Sequence, residues 1–165
     1  NDIDVPPLKL APTHRWISAG EATSDVQVLT ADEKEDTAPT GMDLKWWHKT
    51  KPGDSYARVI AREESRVSCF NTIRLSGDLP ACTLPSVMDQ IQHWGERRKL
   101  TYREWKRLGS FPDDYHAKTD KIGKYMIGMS VPPKMTEQVA RAVCEQWLNV
   151  NYSELSNDNQ AQNPH

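Results

Sequence analysis

The chain has 165 residues, of which 37% are hydrophobic and 27% charged. That length suits one domain or two small ones, and with a mean hydropathy of −0.75 a thin core is expected. Lys and Arg number 21 against 23 Asp and Glu, a formal net charge of −2, which excludes a globally basic coat for nucleic acid but not a local basic patch.

Residues 1–16 read as extended, broken by Pro6, Pro7 and Pro12. They lack the basic start and apolar run of a signal peptide. No stretch approaches the ~18 consecutive apolar residues of a membrane span. Ser18 to Glu21 has the S-x-x-E spacing of a capping box, with Ile17 and Ala22 as its expected staple. Residues 21–43 hold seven acids and one lysine and read as a solvated, mobile stretch, too acidic to lie on DNA phosphate. Order is expected to resume at Leu44–Trp47, followed by a turn at Lys51-Pro-Gly-Asp54. Residues 55–84, rich in Ser, Val, Ile, Tyr and Thr and interrupted at Ser76-Gly77-Asp78, predict short strands in a twisted β unit.

Thr101 and Glu104 form a second capping box: the hydroxyl accepts from the Glu104 amide while the carboxylate reaches back to the Thr101 amide. The predicted helix passes Trp105 and Leu108 and stops at a left-handed Gly109. Phe111-Pro-Asp-Asp-Tyr115 then turns the chain. A last helix is expected from Val131-Pro-Pro133 onward, with Met135, Val139, Ala142, Val143 and Trp147 on one apolar stripe. The polar tail from Asn151 to His165 is expected to be disordered.

Spacing excludes several chemistries. The eight glycines lie no closer than five positions apart, so no G-x-G-x-x-G cofactor turn exists. Gly123-Lys-Tyr-Met-Ile-Gly128 has P-loop spacing, but Met129 stands where the phosphate-binding lysine belongs. Cys69, Cys82 and Cys144 form neither a C-x-x-C pair nor a disulfide framework, and the histidines show no close pairing, so no metal site is expected. The cysteine usage fits a reducing cytoplasm.

Between Trp94 and Arg107 stand six basic residues (Arg97, Arg98, Lys99, Arg103, Lys106 and Arg107) and two acids. Two readings are open: a solvated helix face with i,i+4 pairs, or a surface for phosphate, whose affinity would fall steeply with salt.

Longer motifs now stand out. Arg98-Lys-Leu-Thr-Tyr-Arg-Glu-Trp-Lys-Arg-Leu-Gly-Ser-Phe-Pro-Asp-Asp-Tyr115 resembles motif IX of the DNA (cytosine-5)-methyltransferases, and Lys124-Tyr-Met-Ile-Gly-Met-Ser-Val-Pro-Pro133 resembles their motif X, in the same order. Arg74-Leu-Ser-Gly-Asp-Leu-Pro-Ala-Cys-Thr-Leu84 resembles the Arg…Thr-Leu segment of the family's target-recognition domain, and Asn1-Asp-Ile-Asp the stretch after motif VIII. The resemblance implies an α+β fold: a small β-rich target-recognition domain plus C-terminal helices that normally complete a Rossmann-like methyltransferase domain. It divides the chain into an extended connection at 1–20, a recognition region at 21–96 with its acidic segment at 21–43, the motif IX helix and turn at 97–118, motif X with the C-terminal helix at 119–150, and the tail at 151–165.

The family's glycine loop for S-adenosylmethionine, its Pro-Cys nucleophile, its E-N-V glutamate and its Q-x-R-x-R strand have no counterpart in this sequence. The resemblance therefore implies no catalytic residue here, but the C-terminal part, fragment or subunit, of an enzyme that methylates cytosine C5 together with a catalytic half. The alternative is a stand-alone DNA-binding or regulatory module derived from such an enzyme. The setting implied is a prokaryotic cytoplasm, chromosomal or phage-encoded, within restriction-modification. The implied partners are double-stranded DNA and the half bearing motifs I to VIII.

By the same resemblance Arg74 grips a phosphate, Asn71 fills the space left by a flipped base, and Thr83 and Leu84 hold the recognition loops. Arg97, Arg98, Arg103 and Arg107 reach phosphate or brace the recognition domain, with Thr101 and Glu104 structural. Met129, Ser130 and Val131 line the S-adenosylmethionine pocket, Met129 replacing the family's usual Asn; no metal is implied. Arg58, Arg62, Arg66, Gln90, Gln92 and His93 have the chemistry to read base edges. The Met135–Trp147 stripe would dock onto the cofactor domain.

Overall fold

Thr101 caps the helix around which the larger of two units is built. The structure, a computed structural model, describes residues 6–11, 15–26, 28–69, 71–87 and 90–148. The chain divides into one unit of Trp16–Ser130 and another of Asn1–Arg15 with Val131–His165. The stretch at Asn1–Asp4 and the tail at 151–165 lie outside the described residues.

The acidic stretch folds into helices. Ser18 accepts from the Glu21 amide at 3.2 Å and starts α1 (Ala19–Ala22). Ile17 is 46% exposed and makes no buried staple. Thr30 and Glu33 form a capping box that opens α2 (Ala31–Asp36). Asp43 accepts from the Thr40 amide and hydroxyl at 2.7 and 2.8 Å, starting α3 (Gly41–Trp46), and a single 3-10 turn (Trp47–Lys49) follows. Its acids thus satisfy amides that helix starts leave open, a use that charge counting alone does not reveal.

The expected strands at 55–84 are corrected most. Ser55 accepts from the Arg58 amide and starts α4 (Tyr56–Glu64), which buries Tyr56, Val59 and Ile60. Those positions have the i, i+3, i+4 spacing of a helix face, with Ala, Arg and Glu, strong helix formers, between and after them. Strand structure among the described residues is limited to β1 (Ile73–Arg74) and β2 (Ile91–Gln92), paired in parallel with Ile73 opposite Ile91 and Arg74 opposite Gln92. The described part of residues 21–96 is therefore mixed, with more helix than strand, rather than β-rich.

α5 (Tyr102–Leu108) carries the predicted capping box: Thr101 Oγ1 accepts from the Glu104 amide at 3.1 Å and Glu104 Oε2 accepts from the Thr101 amide at 2.8 Å. It ends at Gly109 as expected, but Gly109 has φ −81°, and the left-handed residue is Ser110 at φ 58°. Gly109 answers a need for space: a Cβ there would lie 2.9 Å from Ile127 Cγ2. α6 (Asp120–Met129) packs on α5 through the same kind of contact. A Cβ on Gly123 would fall 2.5 Å from the Tyr102 ring, and one on Gly128 would fall 2.3 Å from the Pro85 carbonyl oxygen.

Two apolar clusters result within this unit. Leu75, Ile91, Leu100, Tyr102, Trp105 and Ile127 form one, with Leu84 and Phe111 against it. Trp46, Trp47, Tyr56, Val59 and Ile60 form the other. In the second unit, α7 (Pro133–Gln146) begins with proline in its first turn, where no intrahelical amide bond is lost. The Gln146 side chain pairs with the backbone of Lys9, accepting from its amide at 2.9 Å and donating to its carbonyl at 2.7 Å, and Trp147 Nε1 donates to the Pro6 carbonyl. On the expected stripe Ala142 is buried, while Met135 and Trp147 are 56% and 42% exposed. No helix among the described residues is long and apolar enough to cross a membrane.

Candidate functional site

Two cations of the basic run, Arg98 before α5 and Lys106 within it, turn inward. Arg98 is 7% exposed and donates through Nη1 and Nη2 to both oxygens of Glu104 at 2.8 Å, through Nε to Glu96 at 2.8 Å, and through Nη1 to the Lys99 carbonyl. Burial works against its charge, yet Glu104 and Glu96 hold its pKa above the ordinary value. Glu104, 1% exposed, thereby joins a bidentate ion pair to the capping box of α5. Lys106 is buried too, donating to the Asp113 carbonyl.

Arg103 and Arg107 fasten the acidic segment. Arg103 donates to both oxygens of Glu33 at 2.7 and 2.8 Å and to the Val28 carbonyl at 2.8 Å. These bonds hold the Glu33 carboxyl below its ordinary range despite partial burial. Arg107 lies 2.7 Å from both Asp25 and Asp113.

Arg74, opposite Gln92 on β1, also points into the fold. It donates to the Trp94 carbonyl through Nε and Nη2, and through Nη1 to the carbonyls of Thr50 at 2.9 Å and Trp47 at 3.3 Å. Its guanidinium sits 3.5 Å from the centre of the Trp47 ring. Arg74 thus joins the turn after α3 to the loop after β2.

His93 and Gln92 face inward as well, which removes them from any surface that reads base edges. His93 Nδ1 accepts from the amides of Gly95 and Glu96 at 3.1 and 2.9 Å, so the ring proton is on Nε2, 3.7 Å from Glu104. Burial first, then the Arg98 charge, pushes the imidazole down to about 4. Gln92 is fully buried, and its side-chain amide finds no partner among the described residues.

The remaining positions are outward. Asn71 is exposed two residues before β1; Thr83 is exposed and Leu84 half-buried. Arg58, Arg62 and Arg66 are exposed and Gln90 is half-buried. Arg97 is exposed, 3.3 Å from His48 Nε2. Met129, at the end of α6, is 65% exposed, and the exposed Ser130 donates its hydroxyl back to the Met126 carbonyl at 2.6 Å. Val131, which opens the other unit, is 61% exposed. Burial raises the pKa of the Cys82 thiol, and all three cysteines are free. The sequence reading missed His48 and the roles of Glu33, Asp25 and Glu96. A signal existed only for Glu33, in the T-x-x-E spacing of Thr30 and Glu33.

Residues 18–145 match the model of the C-5 cytosine-specific DNA methylases, and the chain belongs to that family. Its likenesses among individual proteins include Type II methyltransferases. It is 36% identical to M1.HphI of Haemophilus parahaemolyticus over 72 residues, which are 43% of this chain and 19% of that protein. It is 39% identical to M.BbvI of Brevibacillus brevis over 66 residues, 39% of this chain and 17% of that protein. With M.AquIB of Picosynechococcus sp. it shares 28% identity over 138 residues, 76% of this chain and 96% of that protein. The chain thus spans about a fifth of the first two relatives and nearly all of the third. No solved structure matches it.

Proposed function

We propose that this chain is the DNA-recognising C-terminal part of a DNA (cytosine-5)-methyltransferase, active only with a second polypeptide that carries the nucleophilic thiolate. One observation carries the reading. Stretches of this chain align with about a fifth of two relatives yet with 96% of another, so its relatives include proteins several times longer than the matched stretch and one hardly longer than it. The thiols agree with it. Cys69, Cys82 and Cys144 follow Ser68, Ala81 and Val143, none follows proline, and Cys82 is held protonated by burial, the opposite of an activated nucleophile.

In this reading Arg74, Arg98, Arg103 and Arg107 brace the recognition unit, because their donors already meet carbonyls and carboxylates. Asn71, exposed ahead of β1, fills the space of the flipped base. Thr83 and Leu84 hold the recognition loops. Met129 and Ser130 contribute an edge of the S-adenosylmethionine site, as does Val131 in its own unit. Their exposure fits a contribution of that size, while the polar groups that hold the cofactor's charged end come from the other polypeptide. S-adenosylmethionine, when bound, supplies the methyl group.

Mixing this chain with a polypeptide of motifs I to VIII and following transfer of labelled methyl groups to duplex DNA tests the proposal. Transfer by the mixture and by neither part alone is expected. No transfer from a folded, associated pair overturns it, as does transfer by this chain alone. Duplex binding by this chain together with an inert mixture would favour the stand-alone DNA-binding module.

A further inference from the structure

Arg97 differs from the other arginines given to DNA by the family resemblance. Arg74, Arg98, Arg103 and Arg107 each end on carbonyls or carboxylates of the fold. Among the described residues Arg97 meets no carboxylate; its partner is the His48 ring, 3.3 Å from Nη1. Glu96, its neighbour in sequence, is engaged by Arg98. An arginine that donates to an imidazole nitrogen keeps its full charge and most of its donors facing solvent.

The mounting of this pair is rigid. His48 lies in the 3-10 turn and packs edge-on against Trp47 at 5.2 Å. Trp47 is 7% exposed and fixed by its indole donating to the His93 carbonyl at 3.2 Å and by the Arg74 guanidinium on its face. The loop that bears Arg97 is tied down by the Gly95 and Glu96 amides on His93 and by the inward Arg98. The brace formed by Arg74 thus ties the turn that carries His48 to the loop that carries Arg97, and among the described residues no acid neutralises Arg97. Such an arrangement suits a phosphate diester, whose oxygens accept from a guanidinium in two places.

We propose that Arg97, positioned by His48, is a backbone-phosphate contact of this chain on duplex DNA. The proposal rests on the DNA-recognising role above. A phosphate contact adds affinity without reading sequence, and its removal lowers the dependence of affinity on salt.

The test compares the full chain with Arg97→Gln and Arg97→Lys on two duplexes of unrelated sequence, between about 50 and 200 mM salt. Arg97→Gln is expected to weaken binding of both duplexes by the same factor, about tenfold. It is expected to reduce the slope of log affinity against log salt by about 0.9. Arg97→Lys should retain the slope and lose part of the affinity. Because Arg97 is exposed, unchanged thermal melting is expected for both variants. An unchanged slope in Arg97→Gln overturns the inference, and so does a loss confined to one duplex, which would mean base readout. Failure of the unaltered chain to bind either duplex at the lowest salt overturns the inference too, whereas the DNA-recognising role stands or falls with methyl transfer by the mixture.

Discussion

α4 and α5 are both short, arginine-bearing helices, and the fold uses them in opposite ways. On α4 the apolar side chains Tyr56, Val59 and Ile60 take the buried face, and Arg58 stands 76% exposed, 3.6 Å from Asp54. At α5 the cations Arg98 and Lys106 are themselves buried, with Glu104 among them. The difference lies in the position of the acids. Glu104 comes from α5 itself, while Glu33 and Asp25 come from the acidic segment. A run of basic residues becomes a surface for polyanions only where the fold brings no carboxylate to it.

Four changes break or sharpen that contrast, in descending size. Glu104→Gln leaves Arg98 buried against a neutral amide and weakens the capping box, and about 3–5 kcal/mol of unfolding free energy should be lost. Denaturant titration measures it, and a loss below about 1 kcal/mol would mean that α5 does not depend on the pair.

Next comes acid. The folded His93 pKa lies near 4 against an unfolded 6.5, so between those values the unfolded chain binds the extra proton. The stabilisation is complete above about pH 6.5 and fades as pH falls toward 4, by about 3 kcal/mol. His93→Asn keeps an acceptor for the Gly95 and Glu96 amides and should flatten that part of a stability-against-pH curve; an unchanged curve would exclude His93 as its source. Gly123→Ala drives a methyl into the Tyr102 ring and should lower stability by about 1–3 kcal/mol, seen as a drop in Tm. Arg103→Gln loosens the acidic segment for about 1 kcal/mol or less, most readily seen as faster amide exchange in α2. The matched change Arg58→Gln on α4 should leave melting where it was. If both behaved alike, the contrast between the helices would not hold.

What could be read from the chain was what is local. The capping box of α5 joins residues three apart, and the proline start of α7 needs only its own first turn, so both were legible. The strand expectation fails at α4 because Val59 and Ile60 are β-branched while their spacing with Tyr56 is that of a helix face. Which arginines brace the fold is hidden in the sequence for a reason of distance. Arg103 finds Glu33 across 70 positions and Arg107 finds Asp25 across 82, and no periodicity within a helix announces such a partner. Arg74 illustrates the same point with carbonyls, since acceptors on the main chain carry no sequence signature.

Gly128 has no side chain, and the Pro85 carbonyl stands where one would be. Two stretches of main chain that meet in this way have no cushion of rotamers between them. A shift of one toward the other has to be met by main chain and not by a side chain changing rotamer. Whatever presses the loop after Leu84 inward therefore presses on the backbone of the last turn of α6.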